Sequence, residues 1–140
     1  MTLHDIALSV HVVTAIVGVG QVAALAGLAA GPLTGSTGSA ATWKALRRLA
    51  IAGNLSLAVM LITGLLLDYS VGGGYHHFWW FRISFLAFIA LGGILGGVRR
   101  TVRKNLASPD DHALRGVARA GWLMCAIIAF IAVLMQAKPW

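Results

Sequence analysis

The sequence predicts an all-α integral membrane protein, an antiparallel four-helix bundle with an N-out/C-out topology. Two observations carry this. Of 140 residues, 59% are hydrophobic and the mean hydropathy is +0.83, against about 45 to 50% apolar residues in an ordinary soluble domain. The apolar residues also fall in four continuous runs, each near the roughly 20 residues that a spanning helix needs, and not in the alternating segments of a membrane barrel. Backbone amides in hydrocarbon must be satisfied internally, which leaves a helical bundle. The connectors are too short to hold a soluble domain, so the chain reads as one transmembrane domain over 1–140.

The first span is expected at 6–30 and ends at Gly31 and Pro32, because proline cannot continue the helical ladder. A flexible link rich in Gly, Ser and Thr follows over 33–42, and Trp43, Lys44, Arg47 and Arg48 read as an interfacial aromatic and basic flank. The second span covers 49–67 and closes at Asp68, Tyr69 and the glycines 72 to 74. An aromatic belt of Tyr75, Phe78, Trp79, Trp80 and Phe81 opens the third span, 78–98, and Arg99, Arg100, Arg103 and Lys104 follow it. The Ser108-Pro109-Asp110-Asp111 stretch predicts a helix start. The fourth span runs over 116–137, with Arg115 and Arg119 at its beginning and Lys138, Pro139 and Trp140 at its end.

Orientation follows from the connectors, because Lys and Arg are retained on the cytoplasmic side. The links between spans one and two and between three and four hold Lys44, Arg47, Arg48, Arg99, Arg100, Arg103, Lys104 and Arg115, whereas the opposite side has Arg82 and Lys138. Both termini and the 68–77 connector are therefore expected outside. No basic residue precedes the first apolar run, so no cleaved signal peptide is expected. The 11 Lys and Arg against 4 Asp and Glu are explained by topology, and a nucleic-acid partner is not expected. Arg99, Arg100, Arg103 and Lys104 are candidates for anionic lipid headgroups.

With this topology His4, Asp5, His11, Asp68, His76, His77 and Arg82 all fall near the outer ends of their segments. His4 and His11 are one heptad apart, so about 20° of drift separates them and they share a face that Ala15, Gly18 and Val22 continue. His11 lies about 8 Å into its span at 1.5 Å per residue, too deep for an imidazole to face lipid. It is either a hydrogen-bonded residue that joins helices or a haem or metal ligand. His76 and His77 belong to the aromatic belt or supply a second ligand. Adjacent helical residues diverge by about 100°, so one of the two, His77 by depth, is expected to meet His11. Arg82 anchors at the interface or pairs with Asp68 or an anionic ligand group.

Gly92, Gly93, Gly96 and Gly97 on span three, and Gly53, Ser56, Met60 and Gly64 on span two, predict faces of close helix approach, with a homodimer as a further use. The sequence from Gly18 to Ala23 fits a dinucleotide-binding pattern but lies inside a span with no preceding strand. Cys125 reads as a small buried apolar residue, and Met135 lies where it could join a soft metal site. No Cys pair, P-loop, zinc-protease or nucleophile-elbow motif occurs.

The His11 and Gly20 spacing, the Thr63-Gly64-Leu65-Leu66 ending of span two, Trp79-Trp80-Phe81-Arg82, and the terminal stretch from Leu134 to Pro139 resemble an uncharacterised family of small bacterial four-helix membrane proteins. That family looks related to the copper-resistance D proteins and to haem-containing membrane protoporphyrinogen oxidases. The resemblance covers most of the chain through short motifs. It implies that His11 supports haem or copper chemistry in a bacterial inner membrane. Where those families often carry a lysine near the start of span three, this chain has Arg82, which cannot give up its charge to shuttle a proton.

Three expectations result. In the leading one, b-type haem is held by His11 and by His77 or His76, with Arg82 at a propionate, for electron transfer or haem-linked redox chemistry, which would make the protein a membrane oxidoreductase. In the second, copper is bound by His4, His11, His76 or His77 with Met135. In the third, the histidines only pack an accessory subunit.

Overall fold

The structure is a computed structural model, and it describes residues 2–31 and 39–137. Four long helices are described: α1 Leu3–Ala30, α2 Ala40–Ser70, α3 Trp79–Asn105 and α4 Asp111–Ala137, with a 3-10 turn, Tyr75–His77, ahead of α3. Each is long and apolar enough to cross a membrane. At 27 to 31 residues and 1.5 Å per residue they reach about 40 Å or more, beyond the roughly 30 Å hydrocarbon layer.

Capping explains why the helices outrun the apolar runs. α1 begins ahead of residue 6 because Thr2 and Asp5 form a capping box, the Asp5 amide donating to Thr2 Oγ1 (3.2 Å) and the Thr2 amide to Asp5 Oδ2 (2.8 Å). Ser39 accepts from the Thr42 amide and starts α2 inside the stretch expected to be a flexible link. Asp110 Oδ1 accepts from the His112 amide at the head of α4, at the helix start read from the sequence. α1 ends at Ala30 with Gly31 as its cap. Pro32, the 33–38 part of the link, and Lys138, Pro139 and Trp140 lie outside the described residues.

The helices form a ring in which α1 and α3 each pack against α2 and α4. Cross-contacts fix the neighbours as antiparallel: His4 meets Ser70 and His11 meets Thr63 across α1 and α2, while Gly53 meets Leu95 across α2 and α3. Large apolar side chains such as Ile16, Leu55, Leu86 and Val133 are more than 60% exposed, which suits a lipid-facing surface and not a wet one.

The core sits at the end that carries the Arg and Lys clusters. Leu25, Ala26 and Ala29 of α1, Leu46 and Ala50 of α2, Leu95, Val98 and Val102 of α3, and Leu114, Val117 and Met124 of α4 are all buried there. Trp43 belongs to this core at 0% exposure, which corrects its reading as an interfacial flank: α2 already runs helically through 40–48, so its first turns pack against the other helices. The tightest approach at a glycine among the described residues is one the sequence did not single out. A Cβ added at Gly121 would lie 2.7 Å from Ala26 Cβ and 2.9 Å from its Cα, so only glycine lets α4 approach α1 so closely.

Candidate functional site

Towards the opposite end a half-open chamber of about 160 Å³ is lined by residues of all four helices. His11, Ala15 and Gly18 of α1 line it, and so do Gly53, Ser56, Met60 and Gly64 of α2. The histidine face of α1 and the small-residue face of α2 read from the sequence are therefore two of its walls. Phe81, Ser84, Phe85 and Phe88 of α3 with Met124, Ile128 and Met135 of α4 make the others. Carrying the register of Gly53 against Leu95, and of Gly121 against Ala26, along the helices puts Ser84 and Met135 at the level of His11 and Thr63.

Hydrogen-bond bookkeeping assigns the tautomer of His11. Its Nδ1 is 2.8 Å from Thr63 Oγ1, and that hydroxyl is 2.8 Å from the Val59 carbonyl oxygen and 3.2 Å from that of Met60. A carbonyl only accepts, so the single hydroxyl proton goes to the α2 backbone, as serine and threonine in helices commonly arrange. Thr63 Oγ1 then accepts from His11 Nδ1–H, because the other tautomer would leave two acceptor oxygens 2.8 Å apart with no proton between them. The hydrogen bond found for His11 among the described residues is made by Nδ1, with the Met60 carbonyl a further neighbour of the ring, and this leaves the Nε2 lone pair open. A ring nitrogen fixed through its opposite N–H in this way is the usual form of a ligating histidine.

The same device recurs one heptad outward. His4 Nδ1 lies 2.8 Å from Ser70 Oγ, whose hydroxyl donates to the Leu67 carbonyl at 2.8 Å. Inward, Ser56 donates to Gln21 Oε1 at 2.9 Å. The α1–α2 seam is thus closed by polar contacts made by hydroxyls spaced seven apart on α2, at residues 56, 63 and 70.

Ser84 is the second polar feature of the chamber. It is 4% exposed, and its hydroxyl has no hydrogen-bond partner among the described residues. Leaving a buried hydroxyl unpaired costs about 1 to 3 kcal/mol, so this is a polar group in want of a partner. The other such atom, Trp43 Nε1, belongs to the packed end and does not line the chamber.

The remaining candidates lie elsewhere. Neither His76 nor His77 lines the chamber. Both are exposed, and their rings lie against each other at a tilt of 38° with centroids 4.1 Å apart. Asp68 organises their turn: its Oδ1 accepts from the Tyr75 and His76 amides and its Oδ2 is 3.3 Å from His76 Nδ1. Gly72 and Gly73, with φ of 71° and 74°, allow the chain to fold back to that carboxylate. Arg82 donates from Nε to the His76 carbonyl at 3.1 Å and is exposed. Among the described residues no three His, Cys, Asp or Glu side chains come together as a metal-binding group. The glycines at 93, 96 and 97 are exposed, and a Cβ on any of them meets nothing within 4 Å.

Thr63, Ser70 and Ser84 were not foreseen as site residues. Comparison with protein families, with curated sequences and with solved structures finds no match to this chain, so the family resemblance rests on the short motifs alone.

Proposed function

We propose that this is a small protein of the bacterial inner membrane, N-out and C-out, that binds a small ligand through His11 in the outer half of its bundle. The orientation rests on the concentration of Arg and Lys at one end. The binding role rests on one observation: an imidazole with an unpaired Nε2 lines a chamber that is otherwise nearly all apolar. Convergent polar groups in an apolar pocket are the common form of a small-molecule site.

The chamber is half open, and its enclosed part accommodates a small ligand. An engineered apolar cavity of about 150 Å³ holds benzene, and this chamber is about 160 Å³, room for one ring. A b-type haem fits this donor set poorly, since the macrocycle has four rings and neither His76, His77 nor Arg82 lines the chamber. A second reading is favoured by Met135, a wall residue at the level of His11: imidazole with thioether suits Cu(I). His4, about 10 Å along the helix, would not share that ion.

The test uses the protein in lipid nanodiscs with methyl-labelled methionine, because Met60, Met124 and Met135 all line the chamber. Toluene, a neutral single ring, is expected to shift their methyl resonances saturably, and Ala15→Phe, which fills the space, to abolish the response. Absorption spectra and metal analysis on the same sample decide the alternatives. A stoichiometric Soret band lost in His11→Ala would overturn the one-ring reading in favour of haem. Copper lost in both His11→Ala and Met135→Leu would favour Cu(I). No toluene response and no metal would overturn ligand binding altogether.

A further inference from the structure

We infer that the occupant of the chamber is a neutral, single-ring phenol or hydroquinone head group drawn from the bilayer; this rests on the reading of the chamber as a ligand site. Three features select it. Among the described residues no charged side chain lines the chamber, so an ionised ligand would enter uncompensated at a cost of several kcal/mol or more. Three aromatic side chains, Phe81, Phe85 and Phe88, line it from α3 and offer the edge-to-face or offset contacts that aromatic rings prefer.

The third feature is the pair of polar atoms. His11 Nε2 only accepts, because the ring proton is committed to Thr63 through Nδ1. Ser84 Oγ, unpaired and buried, both donates and accepts. A ring hydroxyl gives its proton to Nε2, and its oxygen accepts from the serine once rotation about the Ser84 Cα–Cβ bond turns the buried Oγ into the chamber. A quinone carbonyl or an aryl ether presents only lone pairs, and opposite Nε2 these repel. The site therefore discriminates by the presence of an O–H, and polar sites left unpaired by an analogue reject it more strongly than apolar pockets reject a missing methylene.

The route is through lipid. The α1 side chains beside the wall, such as Val12, Ile16 and Val19, are exposed and apolar, so a lipophilic molecule reaches the chamber from the bilayer without crossing a charged rim.

Titration of the same methionine-labelled protein in nanodiscs, with concentrations referred to the bilayer, compares p-cresol, 4-methylanisole and toluene. The expected result is p-cresol binding about tenfold more tightly than either of the others, the scale of one or two hydrogen bonds. Ser84→Ala and His11→Phe should each bring p-cresol down towards toluene. If His11→Phe does not fold, Ser84→Ala and the anisole comparison still decide. Equal affinity of all three probes would overturn hydroxyl recognition while leaving the chamber a ligand site. Failure of all three to bind would overturn the ligand-site reading with it.

Discussion

The two ends of the bundle are built from the same four helices and are packed in opposite ways. At the basic end, Gly121 brings α4 against the backbone of Ala26, and Trp43, Leu46 and Leu95 fill the space between the helices. At the histidine end the helices are held by polar contacts along one seam, His4 to Ser70 and His11 to Thr63, and an apolar chamber remains between them. Hydrophobic burial gives little drive between helices in lipid, where association depends on van der Waals packing and hydrogen bonds. Packing secures the closed end, whereas the open end relies on directional contacts and leaves an apolar chamber between its helices.

The largest effect expected from breaking this asymmetry is at the closed end. Leu46→Ala removes a side chain 0% exposed in the core and should cost about 2 to 5 kcal/mol, the range for buried leucines. Reversible unfolding in mixed detergent measures it. A loss under 1 kcal/mol would show that this end is not what holds the bundle.

A pair of identical substitutions sharpens the contrast. Gly121→Ala forces a methyl to 2.7 Å from Ala26 Cβ and should destabilise by about 1 to 3 kcal/mol through overpacking. Gly18→Ala at the open end meets Ser56 Cβ at an ordinary 3.6 Å and should be neutral or stabilising by up to about 1 kcal/mol, the helix-propensity difference between the two residues. Equal effects at the two sites in the same unfolding assay would contradict the difference in packing.

The smallest effect is at the seam. Thr63→Val removes the acceptor for His11 Nδ1–H and should cost about 0.6 kcal/mol, the average for interhelical hydrogen bonds in a membrane protein. The same variant frees the imidazole tautomer, so its effect on p-cresol affinity should exceed its effect on stability.

These two ends were legible in the sequence to different degrees. Four long apolar runs and the position of Arg and Lys dictated the helices and their alternation, because hydropathy over a whole span outweighs local detail. Of the face read from the heptad of His4 and His11, the part from His11 through Ala15 and Gly18 lines the chamber, whereas His4 does not. Trp43 was misread because an aromatic beside Lys and Arg has the composition of an interface, and only the upstream Ser39 cap makes that stretch an extension of α2. The hydroxyls at 63 and 70 were passed over: inside an apolar run they are weak signals, and their spacing of seven gains meaning only when α1 is laid beside α2. His76 and His77 were drawn towards His11 by topology alone. The turn around Asp68 depends on side-chain to backbone bonds and on two left-handed glycines, and it takes them to the surface. Ser84 has no sequence neighbour that marks it, and its isolation became visible only with its burial.

The central claim is that His11 keeps an acceptor nitrogen unpaired for a ligand, and nitrogen-15 NMR of histidine-labelled protein in nanodiscs tests it most directly. The account predicts the Nδ1–H tautomer for His11, with a bare Nε2 whose resonance moves on addition of p-cresol and does not move with toluene. An Nε2–H tautomer, or an Nε2 resonance indifferent to p-cresol, would contradict it.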